Sequence, residues 1–439
     1  SSSFVNENTK NHVAYIFAHN DGDGEFGPDG DADIIKCGSV SYPASGDVEV
    51  NLGFEPQWVL YKDVTHSGNN WWILDTMRGW NAQETSGTFS STTGGNAKAL
   101  FPDTSGAEVG YDYGALTSTG FKLPSNFNYG DNNTDFIYIA IRRGTAVPES
   151  ATEVFDIKTS VNTNPAFTSD HVIDLAMFTH KTSNDNRYWS ARLASRGYLY
   201  SNATNAESTN QAAWDFGDTQ FGHYNATGLG TNYIGYFWKR ASKYMDVVAY
   251  TGTGSNQNVS HNLTVVPEMM WIKSRDATHS WATYHSATGN TGIIYLNSNE
   301  AEFSLSGSTV FNNTTPTSSV FTVGTNNVLN QSTKNYIAYL FATLAGISKV
   351  GSVTHSGTTN VDCGFTSGAS LVMLKRTDAT GDWYWWDSTS GIIAGNDPYF
   401  ILNGQASQVT NTDYIDPLSS GFTITSSFTA GDYIFYAIA

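Results

Sequence analysis

The sequence is poor in charge and in long apolar runs. Charged residues make up only 14% of the chain, against roughly 25% in typical soluble domains. No apolar run approaches the ~20 residues of a membrane-spanning helix, so we expect no membrane partner. The 40 acidic and 22 basic residues give a net charge of −18. Such a chain repels phosphate backbones, and we therefore expect no nucleic acid among its partners.

Cysteine is also scarce. Cys37 and Cys363 lie in the different local sequences IKCGSV and VDCGF, more than 300 residues apart. A disulfide framework uses several closely spaced cysteines. We therefore interpret both residues as free thiols that pack like small apolar side chains.

Glycine and aromatic residues are abundant instead. The chain has 41 Gly, and Phe, Trp and Tyr together account for 14% of its residues. Disordered chains lack such an aromatic content. Glycine-rich turns between short aromatic segments favour β structure.

One phrase occurs five times. It appears as NHVAYIFA from Asn11, DFIYIAIRR from Asp135, NYIGYFWKR from Asn232, NYIAYLFAT from Asn335 and DYIFYAIA from Asp432. Copies spaced 97 to 124 residues apart indicate a tandem array. Within each copy large apolar residues alternate with mixed ones, which is the period of a β-strand. We expect the large set to face a core, and the mixed set to meet a neighbouring module, another chain or solvent.

Each repeat contains about seven short strand patterns separated by turn signals, ending in the repeated phrase. Strands at that spacing are typical of β-sandwiches and jelly rolls. The sequence therefore predicts an all-β fold, a tandem array of about four β-sandwich (jelly-roll-like) modules of roughly 100 residues. The predicted divisions are a closing strand of a preceding module over 1–19, an acidic linker over 20–33, module 1 over 34–143, a linker over 144–153, a degenerate module 2 over 154–240, module 3 over 241–342 and module 4 over 343–439.

The first copy of the phrase, Asn11 to Ala18, has no module before it. Two interpretations are open. The native polypeptide is longer, or this segment completes a fold supplied by another chain. Both predict that Asn11–Ala18 forms a strand.

An acidic stretch, HNDGDGEFGPDGDADI, follows this copy. Alternating carboxylates and glycines suit an oxygen-seeking Ca²⁺ ion, although the helix–loop–helix calcium pattern fails here. A solvated linker and a calcium loop are both open. The candidate metal ligands are Asp21, Asp23, Asp29, Asp31 and Asp33.

Tryptophan-rich strands are the candidate binding elements. In DWYWWD and NNWWILD, neighbouring aromatics must point to opposite sides of a strand. A sandwich strand has one core face, so some rings are expected on an outer face, where they would stack on sugars or form an interface. Packing inside the core or between modules is the third alternative. The candidates are Trp71, Trp72, Trp383, Tyr384, Trp385, Trp386, Asp382 and Asp387.

No catalytic motif stands out. The chain lacks a G-x-S-x-G elbow, a zinc-type histidine pair and a phosphate-binding loop. Carboxylate pairs for sugar hydrolysis need only proximity in space, and no pair is marked by the sequence. We therefore expect a protein that is not an enzyme and that has no cofactor, apart from the calcium considered above.

Taken together, NYIAYLFA, GDADIIKCGSV, LGFEPQWVLYK and FNNTTPTSSVFTVGT resemble tandem modules of large virion proteins of marine bacteriophages, notably cyanophages. The resemblance covers modules 1, 3 and 4 well and module 2 poorly. Those proteins are tail-fibre-like or otherwise structural. The resemblance carries no catalytic residues.

The resemblance implies an extracellular place, the virion, and other virion proteins as partners. One hypothesis is a tail fibre or appendage that binds host-surface polysaccharide, for which a homotrimer is the favoured oligomer. The alternative is a capsid decoration or baseplate component without receptor binding. A polysaccharide depolymerase is a weaker alternative.

Overall fold

A computed structural model describes residues 11–19, 33–43, 46–82, 98–110, 114–123, 134–144, 146–194, 197–208, 214–223, 229–304 and 310–439. The described residues form an all-β, multi-module fold, which confirms the predicted fold class. Each module has a larger antiparallel sheet, which we call its main sheet, and a smaller second sheet.

In module 1 the main sheet has the order β1-β9-β3-β4, the second sheet β2-β8-β7, and β5 pairs with β6. The strands are β1 (Ile35–Ser41), β2 (Val48–Asn51), β3 (Pro56–Asp63), β4 (Trp71–Asp75), β5 (Lys98–Ala99), β6 (Val109–Gly110), β7 (Ala115–Thr117), β8 (Gly120–Leu123) and β9 (Asp135–Arg142).

In module 2 the main sheet has the order β10-β17-β12-β13-β14, and the second sheet β11-β16-β15. The strands are β10 (Phe155–Thr159), β11 (Phe167–Thr168), β12 (Leu175–His180), β13 (Tyr188–Ala191), β14 (Leu199–Tyr200), β15 (Trp214–Phe216), β16 (Gln220–His223) and β17 (Tyr233–Trp238).

In module 3 the main sheet has the order β18-β25-β20-β21-β22-β23, and β19 pairs with β24. The strands are β18 (Met245–Thr251), β19 (Gln257–Ser260), β20 (Met269–Ser274), β21 (Ala282–His285), β22 (Gly292–Tyr295), β23 (Phe303–Ser304), β24 (Val320–Val323) and β25 (Asn335–Phe341).

In module 4 the main sheet has the order β26-β33-β28-β29-β30, and the second sheet β27-β32-β31. The strands are β26 (Ser348–His355), β27 (Thr359–Asp362), β28 (Leu371–Arg376), β29 (Trp383–Asp387), β30 (Tyr399–Ile401), β31 (Ile415–Leu418), β32 (Gly421–Ile424) and β33 (Gly431–Ile438).

Helices are few and short among the described residues. They are the 3-10 turns Thr76–Arg78, Ala151–Glu153 and Arg192–Ala194, and α1 (Asn327–Asn330). In the described part of the chain, no helix is long and apolar enough to cross a membrane.

The repeated phrase forms the closing strand of every module: β9, β17, β25 and β33. Each closing strand lies between the first and third strands of its own module and pairs with both. Position by position the pairing is the same. Tyr339 lies opposite Trp271 of β20, and Tyr436 lies opposite Met373 of β28. One strand-pairing scheme is therefore built four times.

The two sides of the closing strand serve different cores. In modules 3 and 4 the mixed set faces the module's own second sheet, as Ala338 and Leu340 do in module 3. The large set, for example Tyr339 and Tyr436, belongs instead to a cluster shared by all four modules. The expectation that the mixed set would meet neighbours or solvent is therefore wrong for these modules.

Modules 2, 3 and 4 close into a ring through equivalent backbone hydrogen bonds. The amide of Glu207 in module 2 donates to the carbonyl of Arg275 in module 3, at 2.7 Å. Two bonds at matching positions complete the cycle, from Glu302 to Thr377 at 3.1 Å and from Gln408 to Lys181 at 2.9 Å. The contacts thus run from module 2 to 3, from 3 to 4 and from 4 to 2. We call this unit the three-module ring.

Module 1 docks on the ring through other surfaces. A buried ion pair joins Glu55 of module 1 to Arg240, with Nη1–Oε1 at 2.7 Å. Arg143 pairs with the buried Asp174 of module 2, and the amide of Ala82 donates to the carbonyl of Leu193 at 2.9 Å. These contacts hold module 1 beside the ring without making it a member of the cycle.

The strand expected over Asn11–Ala18 is absent. Residues 11–19 have no regular secondary structure and are exposed; Val13 is 81% and Ile16 91% exposed. In the other four copies this phrase sits between two strands of its own module. All four main sheets already hold their own closing strand there, so this copy has no such slot. Residues 11–19 thus form no strand within this chain alone, and their pairing with a preceding module or another chain stays a prediction.

Candidate functional site

The predicted tryptophan strands are buried. In β29 the side chains of Trp383, Trp385 and Trp386 are completely buried, as is Asp387. Tyr384 and Asp382 are partly exposed. In β4 Trp72 is buried and Trp71 is partly exposed. The expectation of large rings on an open face is therefore wrong for β29, because a second core covers its outer side.

The two sides of β29 pack into different cores. Trp386 lies in the core of its own sandwich, stacked on Tyr384 with ring centroids 5.5 Å apart. Trp383 and Trp385 point into the three-module ring. Trp385 contacts the Tyr236 ring of module 2 at 5.4 Å, edge to face. Packing between modules, one of the three alternatives, describes these two rings.

The acids flanking this strand have structural partners. Asp387 accepts a hydrogen bond at 2.7 Å from the Tyr236 hydroxyl of module 2. Burial raises the pKa of Asp387, and its hydrogen bonds with Tyr236 and Ser390 oppose the rise. Asp382 accepts from the Asn403 side chain at 2.9 Å. Asp387 therefore belongs to the contact between modules 4 and 2.

The predicted calcium ligands lie mostly outside the described residues. Asp21, Asp23, Asp29 and Asp31 fall there, whereas Asp33 is described and partly exposed. Within the described ranges, no three His, Cys, Asp or Glu side chains are grouped closely enough to hold a metal ion.

A polar cleft lies between modules 1 and 3. It has a volume of about 250 Å³. One wall comes from the second sheet of module 1, where Glu49 and Lys122 are directly opposite on β2 and β8. The other wall comes from β18 and β19 of module 3, including Gln257 and Asn258. Carboxylate, ammonium and amide groups thus face one space.

Two stacked tyrosines of module 3 also line the cleft. Tyr250 and Tyr336 stack with ring centroids 5.1 Å apart and an interplanar angle of 12°. The Tyr250 hydroxyl donates to the carbonyl of Leu329 at 2.7 Å. Both rings are buried, so neither offers an open aromatic face to a ligand in the cleft.

Arg275 fixes the geometry where modules 1, 2 and 3 meet beside the cleft. Its guanidinium binds Glu207 of module 2 in a bidentate pair, at 2.7 and 2.9 Å. It also donates to the carbonyl of Ala82 in module 1 at 3.1 Å. Burial alone would lower the pKa of Arg275, but attraction to Glu207 outweighs burial and the pKa is raised. The cation is therefore neutralised within the protein.

Two polar atoms of the cleft residues have no protein partner. They are Oε1 of Gln257 and Oγ1 of Thr117, both buried. The amide nitrogen of Gln257 is held by the carbonyl of Thr251 at 3.2 Å, which leaves the oxygen as an oriented acceptor. Buried polar atoms normally have partners. Both atoms are closed off from the open cleft, so the polar groups that face it are the side chains of Glu49, Lys122 and Asn258.

The cleft has the chemistry of a binding site. Among its described lining residues Glu49 is the only carboxylate, and there is no His or Cys. Hydrolysis of a glycoside by the usual route requires two carboxyl groups flanking the bond. The described lining can therefore donate and accept hydrogen bonds but holds no acid–base pair.

Sequence reasoning missed the cleft. Glu49 and Gln257 lie about 200 residues apart, in short strands that look like ordinary sheet edges. The polar segment SNQNVSHN, residues 255–262, gives a weak composition signal. Nothing in either segment indicates that the two surfaces face each other.

Comparison with known proteins gives one family. The model of a family described as a domain of unknown function, DUF7483, matches residues 1–143 and 240–439. The unmatched stretch, 144–239, holds the strands of module 2, whose sequence is the most divergent of the four repeats. No curated protein matches the chain. Since the match covers most of its length, the chain belongs to the DUF7483 family.

Proposed function

We propose that this chain is a non-enzymatic structural protein of a bacteriophage virion, of tail-fibre or appendage type. The likeness of its repeated phrases to modules of marine phage virion proteins supports a place in the particle. Its partners would be other virion proteins and copies of itself. The site of action would be extracellular, on the assembled particle.

The observation that carries this proposal is the three-module ring. Around its axis, aromatic side chains from different modules meet, with Trp189 of module 2 packed edge to face on Trp271 of module 3 at 5.3 Å. Trp189 also meets Trp385 of module 4 at 6.3 Å. Large aromatics buried between modules supply most of the area in such contacts. This construction produces a rigid block, as a spacer or scaffold requires.

Host-surface polysaccharide is the ligand that we propose for the cleft. Sugar hydroxyls donate and accept hydrogen bonds, which fits the carboxylate of Glu49, the ammonium of Lys122 and the side-chain amide of Asn258. This proposal moves the glycan contact from the buried tryptophans of β29 to the junction of modules 1 and 3.

The alternatives differ in location and in chemistry. A capsid decoration or baseplate component would use the same rigid block without a receptor. A polysaccharide depolymerase would need a second carboxylate near Glu49, and the described lining of the cleft supplies none. We therefore rank the fibre or appendage first, the decoration or baseplate component second, and the depolymerase last.

Labelling tests the location. An antibody against this chain, imaged on intact particles by electron microscopy, should mark fibres or appendages. Label distributed over the capsid or confined to the baseplate would support the alternative. If the antibody labels neither intact particles nor the proteins extracted from purified particles, the chain is not part of the virion, and a structural role is contradicted.

A matched pair of variants tests the cleft. Asn258 and Asn360 occupy the same position in modules 3 and 4, and each accepts a threonine hydroxyl, at 2.8 and 2.9 Å. Only Asn258 lines the cleft. Asn258→Ala should weaken binding on a panel of host polysaccharides, whereas Asn360→Ala should not. Equal binding by both variants and the parent chain would exclude the cleft as the sugar site.

A further inference from the structure

Among the described residues, module 1 carries a partly exposed copy of the surface that builds the three-module ring. We call this surface the module 1 ring face. Ile137 of β9 is 40% exposed, and its neighbours along the sheet are partly exposed. An open depression of about 460 Å³ lies at one end of the face, lined by Trp58 and Ile141. The face consists of Trp58, Leu60, Lys62, Trp71, Ile73, Ile137, Ile139 and Ile141.

Strand register shows which residues of the ring modules match this face. In module 1 Leu60 lies between Ile73 of β4 and Ile139 of β9. In module 4 the same place is held by Met373, between Trp385 and Tyr436. The three residues of module 4 are at most 1% exposed. The same sheet position is thus partly open in module 1 and sealed in the ring.

The difference extends over the whole face. In modules 2, 3 and 4 the matching residues of the third, fourth and closing strands are all buried. They are Leu175, Met177, Thr179, Arg187, Trp189, Ile234, Tyr236 and Trp238 in module 2, Met269, Trp271, Lys273, Trp281, Thr283, Ile337, Tyr339 and Phe341 in module 3, and Leu371, Met373, Lys375, Trp383, Trp385, Ile434, Tyr436 and Ile438 in module 4. An apolar sheet face of this extent is usually covered by a partner.

The ring also uses one polar contact three times. The indole N–H of Trp383 in module 4 donates to the carbonyl of Tyr295 in module 3 at 3.0 Å. The indole of Trp281 in module 3 donates to Tyr200 in module 2 at 2.7 Å. Nε of Arg187 in module 2 donates to Ile401 in module 4 at 3.1 Å. Donor and acceptor stand at the same sheet positions in each case.

Module 1 has both halves of this contact. Trp71 holds the donor position, opposite Lys62, as Trp383 lies opposite Lys375. Phe101 holds the acceptor position, because Leu100 pairs with Ile73 as Phe400 pairs with Trp385. The Phe101 carbonyl accepts the amide of Thr104 at 3.1 Å, and the Tyr295 and Ile401 carbonyls accept turn amides in the same way. The Thr104 hydroxyl also donates to the Phe101 carbonyl, at a longer 3.4 Å, and the neighbour's donor would take its place on the second lone pair.

We propose that three copies of this chain associate through their module 1 ring faces, forming a threefold ring that repeats the arrangement of modules 2, 3 and 4. Each ring module donates to one neighbour and accepts from the other, so the contact is head-to-tail. A head-to-tail contact either closes or grows into a filament. Inside the chain the same contact closes at three. The partner that fits the module 1 ring face is therefore the same face of two further copies.

Native mass spectrometry and light scattering of the full chain test this inference. The expected species is a trimer, three times the 47.7 kDa of one chain. Ile137→Asp places a charge within the proposed contact, opposite Lys62, and should yield single chains. Val266→Asp is the matched control, because Val266 is an exposed valine of module 3 outside any ring face and 44% exposed. That variant should remain trimeric.

A second variant guards against misfolding of the first. Trp71→Phe keeps an aromatic ring and removes only the indole donor, and it should shift the trimer toward single chains upon dilution. A parent chain that is monomeric at micromolar concentration would overturn the proposal. A parent chain that forms a dimer or a filament would also overturn it, as would a trimer that remains intact in both Ile137→Asp and Trp71→Phe. Isolation of the chain in a complex in which a different virion protein contacts Ile137 would also overturn it.

Discussion

Lys62 of module 1 and Lys375 of module 4 stand at the same position of the third strand, yet their surroundings differ. Lys62 is partly exposed, and its ammonium donates to the carbonyl of Asn69 in its own hairpin. Lys375 is completely buried and donates to Asn299 and Glu300 of module 3, at 3.3 and 2.7 Å, as well as to Gly381. Burial lowers the pKa of Lys375 to about 8. The covering module, rather than the strand sequence, decides what the residue does.

Module 2 shows how far the sequence can vary under one geometry. The third and fourth strands of modules 1, 3 and 4 carry a lysine and a tryptophan at these positions, whereas module 2 has Thr179 and Arg187. Arg187 donates to the Thr179 hydroxyl at 2.7 Å and also reaches the carbonyls of Ile401 and Ala406 in module 4. In module 2 the cation is therefore Arg187, next to the fourth strand, instead of a lysine on the third strand. Arg187 also supplies the hydrogen-bond donor to the neighbouring module.

The largest expected effect separates Tyr339 from Ile139, which occupy the same closing-strand position in modules 3 and 1. Tyr339 is 1% exposed within the ring, and Tyr339→Ala should lower the free energy of unfolding by about 3–5 kcal/mol. Ile139→Ala, measured in the Ile137→Asp background so that chains stay apart, should cost less than about 2 kcal/mol because its site is already open. Chemical denaturation measures both. Equal losses would show that the module 1 ring face is covered within a single chain.

Part of this architecture could be predicted from the sequence. Period-two alternation located the closing strands, and the matching copies predicted one β fold built several times. The same alternation predicted that Trp385 and Trp386 point to opposite sides. It could not predict that both sides are covered, since the cover over Trp385 comes from Tyr236, about 150 residues away. Alternation assigns a side chain to a face and says nothing of what packs on it.

The cleft was hidden for the same reason. Glu49 and Asn258 look like solvent-facing residues of short strands, which they are within their own modules. Their meeting depends on how module 1 docks, through Glu55 and Arg240. Glu55 lies in LGFEPQWVLYK and Arg240 ends the repeated phrase NYIGYFWKR, but neither pattern marks its residue as part of an interface. Contacts between modules are long-range packing events, and single-strand patterns do not encode them.

A pH-dependent effect should come from His285, which in module 3 holds the sheet position of Asp75 in module 1. Burial lowers the pKa of His285 to about 4, although a hydrogen bond with the backbone of Phe435 opposes the shift. Because the folded pKa lies below that of an unfolded histidine, the unfolded state binds more protons between about pH 6.5 and 4. Stability is therefore full above pH 6.5 and falls as the pH drops, by up to about 3 kcal/mol.

The test is a pair of variants followed by urea denaturation from pH 7 to pH 4. In the parent chain, Nδ1 of His285 accepts a hydrogen bond from the amide of Ala287 at 3.1 Å. His285→Asn keeps an acceptor for this amide. This variant should lose stability less steeply than the parent chain on acidification. His12→Asn, at an exposed histidine, should follow the parent. Identical slopes for His285→Asn and the parent would mean that His285 does not titrate in this range.

A smaller effect on stability is expected when Thr179 and Arg187 of module 2 are replaced by the lysine and tryptophan of modules 3 and 4. Thr179→Lys places a second cation beside Arg187, and Arg187→Trp removes a charge whose carbonyl partners include Ala406. Each single change should destabilise the chain. The double variant recreates the pairing of Lys375 and Trp383. In that pair the ammonium of Lys375 lies 5.9 Å from the centroid of the Trp383 ring. A double-mutant cycle should give a favourable coupling of about 1–3 kcal/mol, and a coupling near zero would show that the two arrangements are not interchangeable.

The smallest effect concerns a contact that modules 1 and 4 share in the same surroundings. Ser41 donates to Asp135 at 2.6 Å, and Thr354 donates to Asp432 at 2.6 Å, between the first and closing strands at the rim of each main sheet. Both bonds are solvent-accessible, so each should contribute no more than about 0.5–1.5 kcal/mol. Ser41→Ala and Thr354→Ala should therefore lower the free energy of unfolding by similar amounts, measured by denaturation under identical conditions. If modules 1 and 4 differ only because neighbouring modules cover the ring face of module 4, a contact outside that face must contribute equally to the stability of both. A clearly larger loss for Thr354→Ala would mean that module 4 differs from module 1 in its own framework, and that the exposure of the module 1 ring face does not by itself explain the contrast between Ile139 and Tyr339.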